Sequence, residues 1–540
     1  VENNSSENNS DENNSSENNS DENNSDENNS DEPDADENNG ENNDDNNDPP
    51  DLPPQDDPEE EDREPPMLRE ATPEPGEAEV SVDTNLVLTF NEPIRTLGLE
   101  FKILLKDVDR NVDVPMRGQV VENVATMDPT EPLRPGTPYQ VIVTNQISDT
   151  SGNLLGDEVR WYFSTAVAED AEHRALAERY APVVFQEVDP ARSRGDFFTR
   201  VDFDGEYDVA DNLESWRDVP LQAAAYYIVI ESETHWYIQY LYYYPVYFER
   251  NVAQEFQPHD LAATQVVVEK ADGEASPEKL LMAETGYGQG GLFGFAVEGL
   301  GIEDRNQGNL VFSFSPDAVW EGTHYLAYHG ASYHAPGHWL WQPDFRQITY
   351  APTVNHRAGE FNEPAQGVVF YPGAGEGQGP DDLACSNDAG CAPELGVTCQ
   401  GGTCKNADGQ KALRYGLLDY RSTLWVRRTN IGEDVDLFVS NPLTYAPHRD
   451  SGVRPGSDEG RQFPGALAAT ENASRGDLPY GWPSDGSLSR GQWWLDPAYA
   501  FTHRYRFVPT QDGVINPGVS VEYCFHPYFD IDKRGEAACR

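Results

Sequence analysis

Four histidines, His324, His329, His334 and His338, fall within fifteen residues, and His259-Asp260 stands upstream of them. Neutral imidazoles beside a carboxylate can hold Zn²⁺, Mg²⁺ or Ca²⁺ and leave a position for an activated water. We therefore take His259, Asp260, His334 and His338 as the candidate ligands of a divalent metal. The chain has no His-Glu-x-x-His helix, which excludes a zincin. On a strand, side chains alternate, so His324, His334 and His338 can share a face that His329 cannot. The competing reading is of structural or surface histidines.

Carboxylates form two further sets. Asp202, Asp204, Glu206 and Asp208 alternate, and Asp530, Asp532 and Glu536 surround Lys533-Arg534-Gly535. Either set suits an oxygen-rich calcium loop, and either suits a solvated acidic turn. Glu92 and Asp149 read as exposed turn acids rather than calcium ligands. Ser332 in Gly-Ala-Ser-Tyr-His lacks the last glycine of a nucleophile elbow. The glycines from Gly286 to Gly294 lack the Lys-Ser/Thr of a phosphate loop. Trp339, Trp341, Trp493 and Trp494 could stack on a sugar, but core packing suits them better.

Six cysteines give an even count. Cys385, Cys391, Cys399 and Cys404 are separated by five, seven and four residues, with Gly and Asn/Asp turns between them. Zinc needs a short knuckle at each end and only one gap fits, so two disulfides are expected, with three pairings open. Cys524 and Cys539 can form a third. Such usage points to an oxidising compartment.

These groups are carried by a chain of 540 residues with 96 acidic and 37 basic side chains and a net charge of −59. That charge argues against nucleic acid as a partner, and against an anionic membrane surface as an electrostatic one. Residues 1–72 read as a disordered acidic spacer. Glu-Asn-Asn-Ser-(Ser/Asp) runs six times from Glu2 to Asp31, and almost nothing there can be buried. The alternative is a solubilising tail. The first residue, Val1, leads us to expect a mature product whose leader has been removed. Seven lysines against 30 arginines suit either a salty medium or an Arg-favouring genome.

From Pro73 the pattern alternates and turns often. Val80–Phe90, Phe101–Leu105, Tyr139–Val143 and Val159–Thr165 read as strands, and residues 73–166 as an Ig-like β-sandwich. Thr89-Phe90-Asn91-Glu92-Pro93-Ile94, Leu133-Arg134-Pro135-Gly136-Thr137-Pro138-Tyr139, Asp149…Gly152-Asn153 and Trp161…Phe163-Ser164-Thr165 resemble the bacterial Ig-like domain of the S-layer-protein type. The resemblance implies a structural or adhesive surface module.

Residues 170–540 read as a mainly β, sandwich-like head with a Cys-rich insert at 385–404, similar to short segments of secreted myxobacterial proteins. Ala168–Tyr180 is one amphipathic helix with Ala171, Ala175, Leu176 and Tyr180 inward. Ala223–Ile230 and Trp236–Tyr244 form a hairpin. Gln265–Glu269, Leu310–Phe314, Tyr325–Tyr328, Gly367–Tyr371 and Ser422–Arg427 add strands. Arg179-Tyr180-Ala181-Pro182-Val183, Trp236…Tyr240…Tyr244-Pro245, His259-Asp260-Leu261…Val268 and Tyr328…His334-Ala335 resemble the Vps62-like group and, more distantly, the necrosis-inducing-protein group. That resemblance implies a His-x-x-Asp-Trp-Glu stretch. Here Asp260 matches, but Gln257 replaces the His, Leu261 the Trp and Ala262 the Glu, so the toxin's chemistry is not carried over.

The expectation is a mainly β, exported bacterial protein, extracellular or on the outer cell surface, tethered by its N-terminal end with a lipid as one means of anchoring. Its head, carried on the Ig-like stalk, binds an extracellular glycan or lipid. The alternatives are a metal-assisted hydrolase of an ester or glycolipid, and a surface-layer component that assembles with calcium.

Overall fold

A computed structural model describes residues 62–188, 193–248, 256–271, 278–287, 292–296, 302–304, 320–330, 336–338, 367–428, 437–438, 443–445, 461–468, 477–479, 490–507 and 518–539. The acidic repeat, Leu310–Phe314, Ser332, His334, Trp339 and Trp341 lie outside these.

The first module is a sandwich of two four-stranded sheets. One runs in the order β1 (Leu68–Thr72), β2 (Leu86–Phe90), β6 (Val124–Pro129), β5 (Met116–Val121). The other runs β4 (Val112–Asp113), β3 (Ile103–Asp107), β7 (Pro138–Val143), β8 (Val159–Ser164). Strict alternation in β2 and β3 buries Leu86, Leu88, Phe90, Ile103 and Leu105 between the sheets. Val141, Val143, Trp161 and Phe163 face them, and the Trp161 indole N–H donates to the Pro73 carbonyl at 3.0 Å. The first strand precedes Pro73, so the sandwich draws in residues from the end of the acidic stretch.

The head is organised by one 13-stranded sheet. Its centre is the predicted hairpin, β10 (Ala224–Ser232) and β11 (His235–Phe248), paired from Ala225↔Tyr242 to Glu231↔Trp236. Next to β11 come β12 (Phe256–Glu269), β13 (Lys279–Tyr287) and β14 (Leu292–Ala296). On the other side the sheet continues through Ala412–Asp419, Gly367–Pro372, Val183–Glu187 (β9) and His324–His329. All nine β10 residues are buried, so helices and loops cover both faces. Tyrosine fits such a sheet because its ring packs while its hydroxyl reaches a partner at the rim. Tyr240 donates to the Ala177 carbonyl at 2.8 Å, and Tyr226 accepts the Val201 N–H at 2.7 Å.

Helix α1 (Ala171–Tyr180) begins at the Asp170 N-cap, whose carboxylate accepts the N–H groups of Glu172 and His173. Its inward face is His173, Leu176, Ala177 and Tyr180; Ala171 and Ala175 are exposed, a correction to the face predicted above. The reason is polar. His173 Nε2 lies 2.6 Å from Glu231 Oε1, and Lys270 Nζ is 2.8 Å from Glu231 Oε2. A second correction concerns 422–427, which is not a strand but a short helix (Tyr420–Thr423) running into a 3₁₀ turn (Trp425–Arg427). Asp419 caps it, accepting the Arg421 N–H at 3.2 Å.

The disulfides join Cys385 to Cys399, Cys391 to Cys404, and Cys524 to Cys539. The first two brace the insert against Val183, Val369 and Ala412. Because all four insert sulfurs are bonded in pairs, they offer no thiolates to zinc.

Burial alone would raise the Glu231 pKa, but the His173 hydrogen bond and the Lys270 charge outweigh it and pull it down to about 2. A depressed carboxylate stabilises the fold above its unfolded pKa, and the contribution disappears as pH falls through the folded value. Urea unfolding of wild type and Glu231→Gln between pH 6 and pH 2 should show wild type losing about 3 kcal/mol more than the variant. Parallel acid limbs for the two proteins would contradict the coupling.

Candidate functional site

The histidines do not form an open metal centre among the described residues. His259 is fully buried on β12 with φ 62°, a left-handed backbone rare for histidine. A carbonyl only accepts, so Nε2–H donates to the Ala468 carbonyl at 2.5 Å and Nδ1 accepts from the Tyr243 hydroxyl at 3.0 Å. Both nitrogens are engaged, and burial holds the ring neutral with a pKa down at about 4. Asp260 Oδ1 accepts the Leu261 N–H at 2.9 Å. His324 Nδ1 donates to the Ala181 carbonyl at 2.7 Å, and His329 Nδ1 is 2.6 Å from the Tyr244 hydroxyl. His338 ends the short strand Pro336–His338, its side chain lying outside the described set as His334 does.

The acidic sets are spoken for in part by arginines. Arg200 grips both Asp202 oxygens at 2.8 and 2.5 Å, Asp204 accepts from Ser215, and Asp208 accepts the Ala210 N–H. Arg534 grips both oxygens of Asp532, and Asp530 pairs with Arg134 and Arg110. Among the described residues, neither set brings three carboxylates within ligand reach of one another. Trp493 and Trp494 are buried in the head core, as expected.

Three carboxylates do converge, those of Asp62, Glu92 and Asp149, with oxygens within 4.8 Å of one another. Asp149 is already an acceptor for the Gly152 and Asn153 N–H groups and the Asn153 amide. That leaves Asp62 and Glu92, well short of the six to eight oxygens calcium takes unless water makes up the rest. Asp62 was missed in the sequence because it sits inside an unbroken acidic run.

The most site-like feature lies where the sandwich meets the head. Arg428, nearly buried, donates to Asp109 of the sandwich at 2.8 Å and to the Gly136 carbonyl at 3.2 Å. Gly136 adopts φ +63°, a left-handed backbone that favours glycine. Arg427 bonds Glu79 at 2.6 Å and lies 3.7 Å over the Tyr207 ring. Arg134 bridges Asp107 at 2.7 Å and Asp530 of the head. Between these contacts is a cavity of about 210 Å³, walled by Arg134 and Thr137 from the sandwich side and by Arg421, Trp425, Phe525 and Asp530 from the head. Nothing in the spacing of these residues marks them as neighbours; only the arginine-rich Arg421…Arg427-Arg428 run is a local signal.

Removing one partner of a buried pair strands the other's charge. Asp109→Ala should therefore cost about 3 kcal/mol in denaturant unfolding, and adding Arg428→Met should restore part of it. A single variant within about 0.5 kcal/mol of wild type would contradict the role of the pair.

Residues 62–165 match the family model described as bacterial Ig-like domain. No curated protein matches the chain in sequence. Among solved structures, the chain is similar to the N-terminal part of the bacterial S-layer protein SbsC at 13% identity, covering 39% of this chain and 42% of that one, with a TM-score of 0.16. It thus spans less than half of that chain. The non-toxic HaNLP3 protein is also 13% identical, covering 32% of this chain and 70% of its own, with a TM-score of 0.19. Native alpha-2-macroglobulin from Escherichia coli, in a structure spanning domains MG0-NIE-MG1, is 11% identical, covering 44% of this chain and 81% of that one, with a TM-score of 0.16. These likenesses are too low to carry an argument, so what the comparisons identify is the sandwich, as a bacterial Ig-like module.

Proposed function

We propose that the protein is exported and held at the bacterial surface by its N-terminal end, and that its β-rich head, together with the Ig-like module, binds an extracellular glycan or lipid without chemical turnover. The bacterial Ig-like module and three disulfides fit a surface protein. No helix among the described residues is long and apolar enough to cross a membrane. The observation that supports ligand binding is the cavity between module and head, with polar groups contributed by both and the aromatic rings by the head. A divalent metal remains part of the proposal only as a ligand-side or loop cofactor. The hydrolase alternative finds no support in His259, whose two ring nitrogens would have to leave Tyr243 and Ala468 before meeting an ion.

The full chain should bind one or more members of a bacterial glycan and lipid array, and should leave ester and glycoside substrates unhydrolysed. Hydrolysis without retained ligand, abolished by Asp260→Ala, would overturn this in favour of the metal-assisted hydrolase.

A further inference from the structure

The charges around the junction cavity are almost all matched. Asp109 is held by Arg428, Asp530 by Arg134 and Arg110, and Asp532 by Arg534, which also donates to Asp170 at 2.5 Å. Arg421 is the exception. Its backbone N–H is taken by Asp419, but among the described residues its guanidinium has no hydrogen-bond or ion-pair partner. It rests 5.0 Å over the Phe525 ring, half-buried, at the cavity wall. Three carboxylates, Asp419, Asp170 and Asp532, act on Arg421 through space with no ion pair to it, and the second oxygen of Asp419 is itself buried with no hydrogen-bond partner among the described residues.

An arginine left in this way is costly unless something supplies an anion, because five N–H donors lose water. The contrast with its neighbours is direct. Hydrogen-bonded carboxylates raise the Arg534 and Arg134 pKa, whereas burial, with the like charge of Arg534, outweighs the pull of Asp419, Asp170 and Asp532 and lowers that of Arg421. The planar fork matches a two-oxygen acceptor, carboxylate or sulfate or phosphate monoester. The space, about 210 Å³, lies below the range of drug-sized pockets and accommodates one small ring. Thr137 and the largely covered Trp425 and Phe525 side chains give it a wall of mixed polar and apolar character.

The geometry points to an anion-binding subsite at Arg421, in which the module–head cavity takes an acidic sugar residue of a surface glycan and Arg421 receives its oxyanion through a bidentate contact. This rests on the binding function proposed above and narrows its ligand class from glycan or lipid to acidic glycan. Arg421 is the specificity-determining residue, while the matched ion pairs around it keep the cavity open.

Titration calorimetry on the full chain, with galacturonate, glucose 6-sulfate and neutral galactose as probes, tests it. Wild type should bind at least one acidic sugar saturably and show no heat with galactose. Arg421→Gln should lose at least tenfold in affinity, and Arg421→Lys, which keeps charge but not the fork, should lie between. Inorganic sulfate binding as tightly as the sulfated sugar would contradict the sugar assignment. Should Arg421→Gln fail to fold, phenylglyoxal labelling of wild type read by mass spectrometry replaces it: the acidic sugar should protect the peptide carrying Arg421. Unprotected labelling, or equal affinity in wild type and Arg421→Gln, overturns the subsite. Array binding of a neutral glycan or a lipid that survives Arg421→Gln would sink the subsite and leave the wider binding function standing, whereas no binding to any array member would sink both.

Discussion

The arrangement depends on a lattice of arginines and carboxylates at one seam. Arg428 and Asp109 meet almost out of water, and Arg134 ties Asp107 of the sandwich to Asp530 of the head. Exposed ion pairs contribute little, but a desolvated pair with further hydrogen bonds fixes geometry, because a shifted partner strands its charge. Arg428 also donates to the carbonyls of Gly136 and Trp425 and lies 4.4 Å over the Trp425 ring. The sandwich is therefore bonded to the head by several directional contacts. Residues 62–540 form one compact unit.

The seam is presented by two parts of the head whose positions are fixed from within. The short helix after β-strand Ala412–Asp419 carries Arg421, the 3₁₀ turn that follows ends on Arg427 and Arg428, and the helix starts where Asp419 caps it and where Thr423 returns a hydrogen bond to the Asp419 carbonyl. The strand Tyr523–His526 carries Phe525 and is clamped by Cys524–Cys539. Behind them the sheet is filled by tyrosines and by a buried polar set around Glu284. Its carboxylate accepts from Tyr505 at 2.7 Å, Gln265 at 2.8 Å and Trp493 at 3.0 Å. A satisfied buried network of this kind holds its members in one arrangement, and so steadies the outer residues that form the cavity.

Where side-chain periodicity reflects a buried face, the sequence was readable. Leu86-Val-Leu-Thr-Phe90 alternates because one face meets the opposite sheet, and the tyrosine-rich hairpin paired as its pattern suggests. Residues 422–427 were misread because β-branched and aromatic types there resemble a strand, while the helix is decided by the cap at Asp419. Helix α1 was rotated in the reading because the buried His173 takes its place through Glu231, a partner 58 residues away. The site was less legible still. Histidine spacing suggested ligands, yet the rings of His259, His324 and His329 serve as hydrogen-bonded core and strand fasteners. Arg421 carries no motif, since what distinguishes it is a guanidinium at the cavity wall with no hydrogen-bond or ion-pair partner among the described residues.

The direct test of this account is the distance between spin labels placed on exposed Val121 of the sandwich and exposed Val521 of the head, measured by pulsed electron resonance in the full chain. A locked seam predicts one narrow distance distribution that broadens when Asp109 and Asp530 are both replaced by alanine. A distribution already broad in the wild-type chain, and unchanged by those replacements, would contradict the seam and with it the cavity it encloses.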